Sequence, residues 1–276
     1  MGDIVSIKVA VLGGGYYGKN CIRHILSCNS AELVGFYEED EDVASSVQSL
    51  FNVERFTELN VLIEIVDAVI IALPLEKRYK IAALSLKKGK HVLVESPVSF
   101  KSSEVEHLVS LANEAQVVHC VSICGIIAMA EEYLKENPQL RDEKNIFIEC
   151  KRYIDEGENI FEVLVADIHI LMMVINSGIK KIRKSIVGKN IVVRFEFENE
   201  MSAHYLVVER SASPNCADII VYTSSCIIDL TKKRCVTVMA KKDIETFFSS
   251  ISENVYYYPF FEKELASVNI ASKILI

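Results

Sequence analysis

The chain has 276 residues, half of them apolar, which is enough to bury one large core or two ordinary ones. A net charge of −8, with no basic stripe interleaved with aromatics, excludes broad contact with nucleic acid, whose affinity comes from clustered Lys and Arg. Eight scattered cysteines without a C-x-x-C pair point to reduced, buried thiols rather than a metal centre. The apolar stretch 163–175 is too short for a membrane span and carries Asp167 and His169, and with no signal-like start a cytoplasmic location is expected.

In chain order, residues 1–122 alternate strand and helix as a parallel sheet covered on both faces does. An apolar strand at 7–12 meets a glycine turn and a helix. Strand 32–37, a helix near 42–50, a short strand at 53–56, a helical turn at 59–64 and the apolar strand 68–72 follow, the last closed by Leu73-Pro74. A helix over 78–88 stops at Gly89, strand 91–94 runs into Glu95-Ser96-Pro97, Ser103 and Glu106 form a capping box for a helix to about 114, and 117–122 is a sixth strand. The pattern then changes to a helix (127–135), a strand (146–153), an apolar helix (161–175) and strands with period-two alternation at 193–197, 202–210, 218–223 and 235–240. Two helices, near 243–252 and 259–275, end the chain. The expected fold is a Rossmann-type doubly wound α/β domain over 1–122 and an α+β domain with an open, mainly antiparallel sheet over 123–276.

The turn reads Gly13-Gly14-Gly15-Tyr16-Tyr17-Gly18. Between a buried strand and a helix, such a turn sits before unpaired helix N–H groups and the positive end of the helix dipole, where a pyrophosphate fits. Gly13 allows the tight turn, Gly15 the close approach of backbone to phosphate, and Gly18 the packing of helix on strand, with Tyr16 and Tyr17 lying between them. The next strand ends in Glu38, twenty residues after Gly18, the spacing of a carboxylate that accepts hydrogen bonds from the adenosine ribose. Glu39 and Asp40 follow it, and three acids there would repel a 2′-phosphate, which favours NAD over NADP.

Beyond the glycine turn, Val66-Asp67-Ala68-Val69-Ile70-Ile71-Ala72-Leu73-Pro74 and Gly89-Lys90-His91-Val92-Leu93-Val94-Glu95-Ser96-Pro97 carry a wider likeness. The latter resembles the G-K-H-V-x-x-E-K-P signature of the glucose-fructose oxidoreductase, inositol dehydrogenase and rhizopine catabolism (Gfo/Idh/MocA) family. The resemblance implies a nicotinamide dinucleotide in the first domain, with Leu73, Pro74, Glu95 and Pro97 near the nicotinamide and Arg78 where relatives often carry His near the cofactor. It further implies a sugar, polyol or nucleotide-sugar substrate, and dimer or tetramer contacts through the second domain's sheet.

Two positions depart from that pattern. Ser96 stands where the family carries a lysine, and aligning His169 with the histidine of the family's D-x-x-x-H puts Val165 at the aspartate. Asp167 is no simple replacement, because helical positions two apart diverge by about 200°; Glu162, seven residues upstream, shares the His169 face. Asp155, Glu156 and Glu158 are further stand-ins, and Lys151 or Arg152 could supply the missing cation. Hydride transfer from an alcohol needs a base for the hydroxyl proton, and His169 is the first choice, with Asp167, Glu162 and Ser96 as candidate companions. The leading expectation is an NAD(H)-dependent oxidoreductase. A catalytically impaired dinucleotide-binding sensor or assembly partner, and NAD-assisted hydrolysis or elimination without net redox change, remain as alternatives.

Overall fold

The computed structural model describes residues 6–122, 134–141, 143, 146–154, 159–188, 190–209, 216–224, 226–229, 239–253 and 261–275. Most of the helix expected at 127–135, the acids Asp155, Glu156 and Glu158, and most of the strand expected at 235–240 lie outside the described residues.

The chain divides into two compact units, 1–125 with 237–269, and 126–236 with 270–276. The first unit is a six-stranded parallel sheet in the order β3-β2-β1-β4-β5-β6. Its strands are β1 (Ile7–Leu12), β2 (Ala31–Tyr37), β3 (Arg55–Phe56), β4 (Ala68–Ile71), β5 (His91–Glu95) and β6 (His119–Ser122). Because helices cover both faces, β4 is apolar throughout and fully buried, as continuous runs in parallel sheets are. The helices are α1 (Tyr16–Leu26), α2 (Glu41–Phe51), α3 (Leu59–Glu64), α4 (Leu75–Lys87) and α5 (Ser102–Ala115). Strand order reverses between β1 and β4, and the crevice outside the carboxyl ends of such strands is where ligands bind in this architecture.

The capping box expected at Ser103 and Glu106 is not what starts α5. Its N-cap is Lys101, which makes no side-chain cap bond, while the Ser99 hydroxyl takes the Lys101 amide at 3.1 Å and pairs with Glu104. The first unit also reaches beyond the expected boundary at residue 122. Helix α7 (Met239–Glu253) inserts Ile244, Phe247 and Phe248 into the core formed by Cys21, Ile22 and Ile25 of α1, and a 3-10 turn (Phe261–Glu264) adds the buried Phe261. Burial of these aromatics, which the whole second sheet separates from β6 in the chain, is what draws the return segment into this unit.

The second unit is a mixed sheet in the order β12-β11-β7-β10-β9-β8. Its strands are β7 (Phe147–Ile154), β8 (Ile179–Val187), β9 (Asn190–Phe197), β10 (Ser202–Glu209), β11 (Cys216–Tyr222) and β12 (Ile227–Asp229). All pairs are antiparallel except β10 with β7. Helix α6 (Ile160–Ile175) is capped by Asn159, whose side chain accepts from the Phe161 amide at 3.0 Å, and ended by Asn176 in the left-handed conformation. The final helix α8 spans Leu265–Leu275. Strands β8 and β12 are additions to the expected set. β8 hides from hydropathy because it is an edge strand with Lys180, Lys181, Arg183 and Lys184, the charges that keep an open edge from pairing with another chain.

Candidate functional site

The glycines of the β1–α1 turn have different jobs. Gly13 has φ +113°, and a Cβ there would stand 2.1 Å from the Ala72 carbonyl oxygen, so both its dihedral and the approach of the β4 end require glycine. A Cβ on Gly18 would lie 2.0 Å from the Gly13 oxygen, so Gly18 lets α1 close onto the turn. Gly15 is the contrast: its Cβ would meet nothing within 4 Å. Protein packing does not demand a glycine there, but a ligand seated against the backbone would. Helix α1 begins at that residue with no side-chain cap and no acid in its first turn, which leaves its N-terminal amides and dipole available to an anion. The turn therefore fits a dinucleotide pyrophosphate.

Glu38 is fixed beside it. Its Oε2 accepts from the Gly14 amide at 2.7 Å and its Oε1 from the Asp40 amide at 3.0 Å, while Arg55 grips the Glu38 carbonyl through Nη2 at 2.8 Å. The neighbouring acids do not form one negative patch with it. Glu39 pairs with Lys77, whose hydrogen bond holds its carboxyl below the usual range, and Asp40 caps α2 by accepting from the Val43 amide at 2.9 Å.

Tyr16 is 70% exposed at the turn, whereas Tyr17 points into the unit, where its hydroxyl lies 3.5 Å from Asp243. Burial, followed by its neighbours Cys21 and Asp243, pushes the Tyr17 hydroxyl well above its ordinary range. The same Asp243 carboxylate takes the buried Ser122 hydroxyl at 2.5 Å, so this network fastens α7 to α1 and β6. Tyr17 is thus tied into the packing of the first unit.

Arg78, expected beside the cofactor, is buried at 4% exposure. Its guanidinium donates to the Leu73 carbonyl at 2.7 Å, the Pro97 carbonyl at 3.0 Å and Glu95 Oε2 at 2.9 Å. It clasps together the two loops, after β4 and after β5, that hold Leu73, Pro74, Glu95 and Pro97. Ser96 is half-buried in the second loop and hydrogen-bonded to Glu264, a fully buried residue of the 3-10 turn whose other oxygen accepts from the Val98 amide at 3.0 Å.

In the second unit, Asp167 is 1% exposed and engaged on both oxygens. Arg152 Nε donates to it at 2.7 Å, Arg152 Nη2 reaches its other oxygen, and the Tyr205 hydroxyl donates at 2.7 Å. Burial and then the Asp167 charge push the Tyr205 hydroxyl well above its ordinary range. This trio pins α6 to β7 and β10, so Arg152 is not a spare cation and Asp167 is not a spare base. Lys151 likewise pairs with Glu149, at 3.1 Å. His169 is 9% exposed on α6, with Glu162 half-buried in the first turn of the same helix. A broad hollow of about 1280 Å³ at the α6 C-terminus, bordered by Met173, Asn176, Met201 and Tyr222, includes none of these candidates. Among the described residues, no three His, Cys, Asp or Glu side chains come together to hold a metal ion, and no helix is long and apolar enough to cross a membrane.

Sequence reasoning missed Glu264, Asp243 and Tyr205, and named Arg152 as a candidate cation rather than as the partner of Asp167. Each is joined to its partner through tertiary packing, and no spacing rule marks it.

A parallel sheet with its order reversed at β1, a glycine turn open at Gly15 and an acid at the end of β2 define a dinucleotide-binding Rossmann protein. Residues 7–123 match the profile of the Gfo/Idh/MocA family, which describes an oxidoreductase family with an NAD-binding Rossmann fold. It is 23% identical over 133 residues to the UDP-N-acetylglucosamine 3-dehydrogenase of Acidithiobacillus ferrooxidans, covering 48% of this chain and 42% of that protein. It is 27% identical over 110 residues to the glucose-6-phosphate 3-dehydrogenase of Bacillus subtilis, covering 40% and 31% respectively. The chain thus matches less than half the length of these curated relatives. Among solved structures, scyllo-inositol dehydrogenase from Lactobacillus casei with bound NAD(H) and scyllo-inositol superposes with a TM-score of 0.83 at 14% identity, covering 98% of this chain and 96% of that one. That likeness extends the shared fold over both units.

Proposed function

We propose that the protein is an NAD(H)-dependent oxidoreductase acting on an alcohol group of a sugar, polyol or nucleotide sugar. The observation that carries this reading is the turn itself, closed by protein at Gly13 and Gly18 but open at Gly15, with the Glu38 carboxylate oriented beside it. The α1 amides and Gly15 hold the pyrophosphate, Glu38 accepts from the adenosine ribose, and the loops clasped by Arg78 border the nicotinamide. Bound NAD supplies the hydride acceptor. His169 takes the alcohol proton in one direction and returns it in the other. Asp167 acts only through the packing of α6, and Glu162 shares the His169 helix face. The names of the curated relatives, both sugar dehydrogenases, support the substrate class.

The test is a titration with NADH and NADPH, read by nicotinamide fluorescence. NADH is expected to bind more tightly than NADPH, and Glu38→Ala to weaken NADH by about 10- to 100-fold, the worth of one or two hydrogen bonds to a charged acceptor. Unchanged NADH affinity in that variant would remove Glu38 from the cofactor site. His169→Ala should keep NADH affinity and lose turnover in a sugar and polyol screen.

Self-association through the second unit's sheet belongs to the same reading. Its face away from α6 carries Val192, 43% exposed, with Leu206, Val208 and Ile220 partly exposed nearby, suited to an isologous contact. Light scattering is expected to give a dimer or tetramer; a monomer at micromolar concentration would count against this use of the sheet.

A further inference from the structure

Ser96 follows the carboxyl end of β5, on the opposite side of β1 from Glu38, so a dinucleotide with its adenosine at Glu38 directs its nicotinamide toward the Ser96 side. Behind Ser96 sits Glu264, with no solvent exposure. Ser96 Oγ meets Glu264 Oε1, and the Val98 amide donates to Oε2 at 3.0 Å. The amide can only donate, so the Ser96 hydroxyl is the group through which Glu264 can exchange a proton. The Arg78 charge favours the ionised form, and Arg78 donates hydrogen bonds to Leu73, Pro97 and Glu95. Burial disfavours the ionised carboxyl, and hydrogen bonds donated to it favour that form. Burial raises its value to about 7, against the smaller pulls of Ser96, Val98 and Arg78.

We propose that Glu264, reached through Ser96, is a charge-compensating group for the nicotinamide: ionised when the ring is oxidised and positive, protonated when the ring is reduced and neutral. The inference rests on the dinucleotide reading above. When hydride transfer removes the ring's positive charge, Glu264 Oε1 takes a proton delivered by the Ser96 hydroxyl, which regains one from solvent. Reoxidation reverses both movements. His169 keeps the separate task of handling the substrate's hydroxyl proton. Where relatives resembling this chain place a lysine, this site would hold an acid whose charge follows the cofactor. Glu264 is a positioning residue in this scheme, because it acts on the ring's charge through space and through Ser96.

Other titratable groups surround the same turn. His119 of β6 pairs with Glu262 at 3.2 Å, and α5 presents Glu104, paired with Ser99 and Lys101, and His107, 3.0 Å from the Tyr79 hydroxyl. They set the controls.

The experiment compares NAD+ and NADH affinity of the full chain at pH values from about 5.5 to about 8. If one proton leaves on NAD+ binding, the NAD+ affinity relative to NADH rises by up to about tenfold per pH unit below neutrality and levels off above it. In Glu264→Gln, which keeps the hydrogen bonds but cannot ionise, that ratio should be flat. A purely structural Glu264 would let the substitution shift both affinities and leave the slope in place, and a slope surviving in Glu264→Gln would assign the proton to another group; either result overturns the proposal. Mixing wild-type protein with NAD+ in weak buffer at pH about 6.5 gives a second readout that does not depend on the variant's folding, since net release of most of one proton is expected with NAD+ and no release, or a small uptake, with NADH. No proton release with NAD+ overturns it as well. If the wild type binds neither nucleotide, the dinucleotide reading fails and this one falls with it, a result distinct from binding without a pH-dependent ratio.

Discussion

Gly15→Ala is expected to leave the melting temperature within about 2 °C of wild type while weakening NADH binding by about 30- to 100-fold. The added methyl meets no protein atom within 4 Å, so the folded chain has nothing to rearrange, and the only occupant it can obstruct is a ligand lying on the turn. Gly18→Ala should do the reverse in order of cause. Its methyl would stand 2.0 Å from a backbone oxygen, α1 must back away from β1, and the fold should lose about 3 kcal/mol before any question of binding arises. Thermal melts and fluorescence titrations of the pair separate the two roles. If Gly15→Ala bound NADH as wild type does, the open space at Gly15 would not be the phosphate seat.

The second large effect is expected in the other unit. Asp167→Ala takes from Arg152, 8% exposed, the carboxylate that balances its charge, and removes the acceptor of Tyr205. Losing one partner of a buried pair costs about 3–5 kcal/mol, which for a chain of this size lowers Tm by about 10 °C. The double variant Arg152→Met with Asp167→Leu should recover most of that loss, because the desolvation of two charges is removed together. NADH binding in the first unit should be the same in both. If Asp167→Ala melted like wild type yet lost turnover, Asp167 would be a working base rather than an anchor.

What could be read from sequence follows the range of the interactions involved. The strand, turn, helix, strand and acid from Ile7 to Glu38 are local, so their spacing alone carried them, and the apolar run before Leu73-Pro74 announced β4 in the same way. Arg78 was legible as a residue near the site but not as a clasp, since its acceptors lie on two loops separated from each other by strand β5 and helix α4. The Asp167 ion pair joins residues 15 apart, and Ser96 finds Glu264 across 168 residues. No periodicity records such pairings. The helical wheel did show that Asp167 and His169 diverge, and the structure adds where Asp167 goes. Strand β8 was missed because edge strands are protected by charge, which removes the apolar alternation that marks a strand.

The return of α7 to the face of α1 bears on how the protein is made. Chains leave the ribosome from the N-terminus, and a nascent chain ending at residue 236 would contain every strand of the parallel sheet but not Ile244, Phe247 and Phe248, which complete its core. Until those residues emerge, α1 lacks the cover of α7 and Ser122 has no Asp243 to bond. The nucleotide-binding unit, although it starts ahead of the other in the chain, is finished only after the strands of the other have been translated. Vectorial synthesis therefore gives this protein a long interval in which a chaperone, or a neighbouring nascent chain, competes for the surface that α7 will occupy.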